Sequence, residues 1–380
     1  MVMGTRPEVI KMAPVISAFN AFPRCFDTKV CVTAQHRELL DTTLAAFRLI
    51  PDVDLNIMQK GQNLFDVTTD VLSKMGTALA ELQPDLVLVQ GDTTTTFATA
   101  LAAFYQKIHV GHIEAGLRTN NMYSPYPEEV NRRLTTTIAR YHFAPTELNK
   151  QNLLKENISP DDILVTGNTV IDTLFMVLDQ FKRNQSLEEK TIATIRKSGY
   201  GSLANPSRRR FILVTGHRRE NFGQGFLNIC KALKKIAAKY PETDIVYPVH
   251  LNPNVQKPVG DILSGIPNIY LIEPLDYVRF VYLMAHCFFI LTDSGGIQEE
   301  APSLGKPTLV MRETTERPEA VNAGTVKMVG TNPDKIFRSA HMLLTDKDVF
   351  EKMAKAHNPY GDGKASSRIV EFVKNRVKSS

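Results

Sequence analysis

The sequence predicts an α/β fold of two doubly wound, parallel-sheet halves, and three observations predict it. Short runs that are β-branched-rich and apolar on both faces recur along the chain, as the buried strands of parallel sheets do. Helical stretches alternate with these runs, which is the pattern of βαβ units. The runs also fall into two sets, separated by a polar and charged segment at 170–209. A length of 380 residues suits two domains at roughly 100–200 residues each.

In chain order, Val2 and Met3 make a short strand that meets Gly4, and a helix follows with Pro7 in its first turn. Residues 28–33 (TKVCVT), 85–90 (DLVLVQ) and 108–113 (IHVGHI) read as buried strands, with helices over Leu64–Leu82 and Thr95–Tyr105 between them. The hinge falls near 167–172 (GNTVID), and a helical insert follows it. The second set of strands is 211–215 (FILVT), 244–249 (DIVYPV), 269–272 (IYLI), 287–292 (CFFILT) and 307–311 (PTLVM). From Ala365 the tail reads as an amphipathic helix with Ile369, Phe372, Val373 and Val377 on one face. The domain boundaries expected are 1–167 and 168–357, with 358–380 as a C-terminal helix packing back on the first domain.

Composition excludes several classes. Apolar residues are 43% and charged residues 22%, ordinary values for a globular protein, so a disordered chain, coiled coil or collagen-like repeat is ruled out. The net charge is 45 − 40 = +5, too small to imply a nucleic-acid partner. The longest nearly unbroken apolar run, Val281 to Leu291, is shorter than the roughly 20 residues that a membrane span needs. The start lacks the charged and apolar regions of a secretory signal. Cys25, Cys31, Cys230 and Cys287 form no CxxC pair and do not cluster with histidines, so reduced thiols in a cytoplasmic protein are expected, with no metal.

Four motifs sit where strands end. Gly4-Thr5-Arg6-Pro7-Glu8, followed by Lys11, offers an anion the free N–H groups of a helix start plus two cations; a plain helix cap is the alternative. Asp92 closes VLVQGD, Glu114 closes HVGHIE, and Glu128 and Glu129 follow Pro125-Tyr126-Pro127. Carboxylates gathered at the ends of neighbouring strands suit general acid/base work, whereas capping of the following helix is the alternative, above all for Asp92. Thr215-Gly216-His217-Arg218-Arg219 places a histidine beside two arginines, which suits a diphosphate leaving group. Thr292-Asp293-Ser294-Gly295-Gly296 leads into Glu299 and Glu300: a phosphate cradle, with Glu300 in place for ribose hydroxyls, or else a plain turn with both acids exposed. Arg312 and Arg317 are further phosphate candidates, or partners of nearby glutamates on the surface. Gln35, His36 and His250 also stand at strand ends, and spacing alone does not choose between lining a cleft and bonding a loop. Walker, GxGxxG and GxSxG sequences are absent. The residues by themselves reach a nucleoside diphosphate ligand in a cleft, with acids across from it, and name no reaction.

Taken together, GTRPEVIKMAP (4–14), VTAQHRELLD (32–41), VQGDTTTT (89–96), GHIEAGLRT (111–119), YSPYPEEVNRR (123–133), TGNTVID (166–172), VTGHRRENFG (214–223), YPVHLNPNV (247–255), LTDSGGIQEEAPSLGKP (291–307) and TTERPEAV (314–321) resemble the bacterial non-hydrolysing UDP-N-acetylglucosamine 2-epimerases. The resemblance covers nearly the whole chain in one order and looks closest to enteric-type enzymes that supply surface polysaccharides such as enterobacterial common antigen. It implies a GT-B fold of two Rossmann-like domains, a cytoplasmic homodimer, and neither NAD nor metal. The implied reaction is reversible epimerisation at C2 of UDP-N-acetylglucosamine to UDP-N-acetylmannosamine, by elimination of UDP to a 2-acetamidoglucal and re-addition.

By position, the resemblance makes Asp92, Glu114 and Glu128 catalytic carboxylates and His217 the histidine near the diphosphate. It puts Arg6, Lys11, Phe280, Ser294, Gly295, Gly296, Glu300 and Arg317 against UDP or the sugar. Gln35, Glu128, Arg218 and His250 would contact a second, activating UDP-sugar. It also implies a longer first strand than Val2 and Met3 supply, and Leu275 stands where related enzymes often carry glutamine. Three other functions compete. A GT-B glycosyltransferase would not need three carboxylates in its first domain. A hydrolysing epimerase usually carries a fused kinase, for which this chain has no room. The third is an inactive nucleotide-sugar sensor, against which the intact acids argue.

Overall fold

A computed structural model describes residues 1–34, 37–59, 61–204 and 209–377. The chain divides into two compact units, Met1–Phe175 with Tyr360–Ser380, and Met176–Pro359. These divisions fall at 175/176 and 359/360, where the sequence reading put 167/168 and 357/358.

Among the described residues the first unit contains seven strands, each paired in parallel: β1 (Val2–Met3), β2 (Cys31–Val32), β3 (Val53–Asp54), β4 (Leu86–Gln90), β5 (His109–Ile113), β6 (Tyr141–Ala144) and β7 (Ile163–Val165). They form one ladder in the order β1-β2-β3 and another in the order β4-β5-β6-β7. Val2 shares a buried cluster with Val87 and Val89, which packs β1 against β4. The run at 28–33 pairs as a strand only over Cys31–Val32. The last helix, Ala365–Val377, buries Ile369, Val370 and Val373 among Met3, Val9, Met12 and Ile16. Its N-terminus is capped from far along the chain: Asp172 accepts the Ser366 N–H at 2.7 Å and the Ala365 N–H at 3.2 Å. Those two N–H groups have no acceptor within the helix, so a carboxylate there satisfies both and opposes the positive end of the dipole.

The second unit holds β8 (Phe211–Thr215), β9 (Asp244–Pro248), β10 (Ile269–Ile272), β11 (Phe289–Thr292), β12 (Thr308–Val310) and β13 (Val326–Met328). All pairings are parallel, in the order β10-β9-β8-β11-β12-β13. This is the Rossmann order, which reverses direction between β8 and β11 and leaves a crevice at their carboxyl ends. Phe211, Ile212, Leu213 and Val214 are all fully buried, as are Phe289, Ile290 and Leu291, so both strands are covered on each face. The polar segment after the hinge forms the helices Thr169–Arg183 and Gln185–Lys197. No helix among the described residues is long and apolar enough to cross a membrane.

Candidate active site

In the first unit two of the sequence-predicted acids stand at strand ends, and the third opens a helix. Gln90 is in register with Ile113, so Asp92 and Glu114 follow the carboxyl ends of neighbouring strands. Asp92 does not cap the next helix: Thr93 is its N-cap, accepting the Thr96 N–H at 3.1 Å. The Asp92 carboxylate instead accepts the Arg132 Nε–H at 2.9 Å, and Arg132 Nη2 lies 2.7 Å from the same oxygen as an ion pair. Glu114 has a φ of 67°, a left-handed backbone uncommon outside glycine. This turns its side chain to meet Lys11 Nζ and Gln90 Nε2, the latter at 2.7 Å. Glu128 opens the helix Glu128–Ile138, and its Oε2 is buried without a hydrogen-bond partner. A buried, unpaired carboxylate oxygen has capacity left for a ligand. Arg6 stands exposed at the first position of its helix, with Lys11 half-buried one turn on.

Three residues outside the expected catalytic and binding set hold this end together. Glu8 is buried and accepts the Gly4 and Thr5 N–H groups at 2.9 and 2.7 Å and the Thr93 and Thr96 hydroxyls at 2.6 and 3.1 Å. Burial raises its pKa against the pull of those bonds. Glu129 is fully buried as well. Burial would raise its pKa, but the N–H groups of Thr119 and Asn120 and the Arg132 guanidinium outweigh this and lower it. The third is His112, whose Nε2 bonds the Gly91 carbonyl at 2.7 Å just before Asp92. Burial drives its pKa down to about 3, so the ring is neutral and Nε2 is the donor.

In the second unit the crevice between β8 and β11 is organised by Asp293, which is fully buried. It accepts the N–H groups of His217 and Arg218, both at 2.9 Å, and the Asn221 amide at 3.2 Å; its other oxygen lies 3.6 Å from His217 Nδ1. His217 is half-exposed and stacks on His250 with ring centroids 5.6 Å apart. His250 also accepts the Asn252 N–H on Nδ1, so it both bonds its loop and faces the crevice histidine. Ser294 is the N-cap of the helix Gly295–Ser303 but makes no capping bond with its side chain. A Cβ at Gly295 would lie 3.6 Å from Arg218 Nη2 and 3.8 Å from Arg317 Cζ. Two guanidiniums and a helix start therefore converge on a space that glycine keeps open, the arrangement that receives a phosphate. Arg218 Nε is buried without a hydrogen-bond partner.

The expected alternative for this motif, with both acids exposed, does not hold. Glu299 and Glu300 are buried. Glu299 takes Arg317 Nε at 2.6 Å, and Glu300 takes the Tyr277 hydroxyl at 2.8 Å. Tyr277 opens the helix Tyr277–His286, which also carries the half-buried Phe280. Arg312 pairs with Glu316, one of the expected glutamates, but inside the fold and not on the surface. It is buried and committed to Glu220 and Glu316. Burial would raise the pKa of Glu316, but the bond to Arg312 overrides it and takes the value to about 2. Gln35 and His36 lie outside the described residues. No group of three or more metal-ligating side chains occurs among the described residues, and the cysteines are free. A cavity of about 270 Å³ lined by Met1, Cys25, Phe26, Met75 and Leu82 lies at the amino ends of the first unit's strands, and none of the expected site residues lines it.

The family model described as UDP-N-acetylglucosamine 2-epimerase matches residues 20–374. A UDP-N-acetylglucosamine 2-epimerase of Escherichia coli strain K12 is 57% identical over 374 residues, covering 98% of this chain and 97% of that protein. Among solved structures, the UDP-GlcNAc 2-epimerase of Neisseria meningitidis bound to UDP-GlcNAc is similar at a TM-score of 0.89 and 53% identity, over 98% of both chains. The Methanocaldococcus jannaschii UDP-GlcNAc 2-epimerase in complex with UDP-GlcNAc and UDP gives a TM-score of 0.79 at 34% identity, again over 98% of both. The fold class is thereby α/β of the GT-B type, with two Rossmann-like units.

Proposed function

We propose a function from an established premise: the chain belongs to the UDP-N-acetylglucosamine 2-epimerase family. It is an isomerase, and the reaction we assign is the reversible interconversion of UDP-N-acetylglucosamine and UDP-N-acetylmannosamine. The observation that carries this reading is 57% identity to such an enzyme over 98% of the chain.

The mechanism we assign is elimination and re-addition. A carboxylate takes the C2 proton, a C1–C2 double bond forms, and the C1–O bond breaks with its electron pair leaving on UDP. In the second half UDP attacks C1 again and C2 receives a proton on the opposite face. One proton and one UDP are exchanged, so no oxidant or reductant enters the balance. Two faces of one carbon need more than one proton carrier, and Asp92, Glu114 and Glu128 are the set we assign. Lys11, paired with Glu114, and Arg6 act on the sugar side. Ser294, Gly295, Gly296 and Arg317 take the diphosphate, Glu300 the ribose and Phe280 the uracil. A cationic His217 would stabilise the charge that grows on departing UDP. We further assign Gln35, Glu128, Arg218 and His250 to a second, activating UDP-sugar. Supply of an enterobacterial common antigen-type polysaccharide, a cytoplasmic location and a homodimer complete the proposal. The Escherichia and Salmonella relatives support its enteric-type character.

The test is proton NMR of the purified protein with UDP-N-acetylglucosamine in D2O. UDP-N-acetylmannosamine carrying deuterium at C2 is the expected product. Free N-acetylmannosamine with UDP would show the hydrolysing reaction instead. An unchanged spectrum with UDP still bound would point to a transferase lacking its acceptor. Started from UDP-N-acetylmannosamine alone, the reaction should show a lag relieved by traces of UDP-N-acetylglucosamine; linear initial rates would remove the second site.

A further inference from the structure

We infer that Arg132 is a positioning residue for the reaction: it clamps one oxygen of Asp92 and leaves the other for the substrate. The inference rests on the reading of Asp92 as a proton-transfer group. Both Arg132 contacts with Asp92 fall on Oδ2: the Nε–H donates to it at 2.9 Å and Nη2 pairs with it at 2.7 Å. Oδ1 accepts no hydrogen bond among the described residues, while the Asp92 side chain is 28% exposed. The third guanidinium nitrogen, Nη1, is held by Glu129 at 3.2 Å. Glu129 in turn is fixed by the Thr119 and Asn120 N–H groups, at 2.9 and 3.1 Å. Asn131, next to Arg132, donates to the main-chain carbonyl of Asp92 at 2.9 Å. Adjacent residues of one helix thus hold the side chain and the backbone of Asp92.

A buried guanidinium is costly to desolvate, and such pairs add little net stability. A device for stability alone does not require both contacts on one oxygen with its twin left bare. A device for aiming a carboxylate does. Among the described residues, Arg132 is the cation in direct contact with Asp92.

The experiment measures kcat and KM for the full chain as wild type, Asp92→Asn, Arg132→Lys and Arg132→Met, with UDP affinity by calorimetry. Arg132→Met should lower kcat by about 10²-fold, the scale of a misplaced reacting group, and leave KM and UDP affinity unchanged. Arg132→Lys should restore part of kcat. A wild-type kcat in Arg132→Met, or a fall in kcat matched by a fall in UDP affinity, would reduce Arg132 to a structural tie and overturn the inference. If Arg132→Met does not fold, Glu129→Gln loosens the anchor and should lower kcat by less, again with UDP affinity unchanged; an unchanged kcat overturns the inference. Wild-type activity in Asp92→Asn would instead remove the premise, an outcome distinct from either result at Arg132.

Discussion

A methyl group at Gly295 would meet its nearest atoms at 3.6 to 3.9 Å, ordinary contact distances, and the residue's backbone is not left-handed. The folded chain therefore tolerates alanine there, and only a ligand would notice it. Gly295→Ala should leave the melting temperature unchanged and weaken UDP binding about tenfold, equivalent to about 1.4 kcal/mol; unchanged affinity by calorimetry would show that the diphosphate does not approach this backbone. Gly216 is the contrasting case. Its added Cβ would stand 2.9 Å from the Tyr247 hydroxyl and 3.3 Å from the Phe226 ring, so alanine should cost about 1–3 kcal/mol in urea unfolding through overpacking. Asp293→Ala strips the acceptor from two backbone N–H groups and one amide. Each donor left buried and unpaired costs about 1–3 kcal/mol, so this variant should melt earlier and bind UDP more weakly, both readable in one thermal-shift titration. The sequence displays Asp293 openly, at the end of an apolar run. What it does not display is that the acid's partners lie around 217–221, 76 residues away in the case of His217. The same distance hides Glu8 from Thr93, 85 residues on, and Arg132 from Asp92, 40 residues back. Strand ends announce which polar residues reach a crevice; the pairing that holds them there depends on long-range contacts.

Elements were legible in proportion to their burial. All of β8 to β12 can be read from the sequence because each is an apolar run with turn residues beside it. The short strands β3 and β13 each carry a charged, exposed position, Asp54 and Lys327, and β7, though wholly apolar, is only three residues long, so none stands out as a run. In β6 the sequence Tyr-His-Phe-Ala buries a histidine that reads as polar. The tail helix shows the limit of periodicity. Its apolar stripe is visible, yet Val370 beside the stripe is also buried, because the helix is covered by a core rather than lying on a surface. Ile369 is fully buried there. Ile369→Ala should cost about 2–5 kcal/mol, measured as a shift in the urea midpoint of the first unit. A loss below 1 kcal/mol would show the helix to be only peripheral.

At the scale of the whole molecule, one of the groups through which acid acts is His112. Its folded pKa of about 3 lies below the 6.5 of the unfolded chain. Between those values the unfolded state binds the extra proton, so stability falls as pH drops below 6.5 and the loss is complete near 3. Glu316, lowered from 4.5 to about 2, contributes its loss only below 4.5. The melting temperature of the wild type should therefore decline between pH 6.5 and 4.5 more steeply than that of His112→Asn; parallel slopes would contradict the buried neutral ring. The order of the chain has a further consequence. The second unit is one continuous stretch, Met176–Pro359, whereas the first needs its last helix to finish its core. During synthesis on the ribosome, the portion made first must wait, with part of its apolar surface uncovered, until the final residues emerge. The portion made later holds its whole complement of strands by then and is free to close ahead of it. The order of assembly runs opposite to the order of translation, and the interval of exposure is set by how long the ribosome takes to read the second unit.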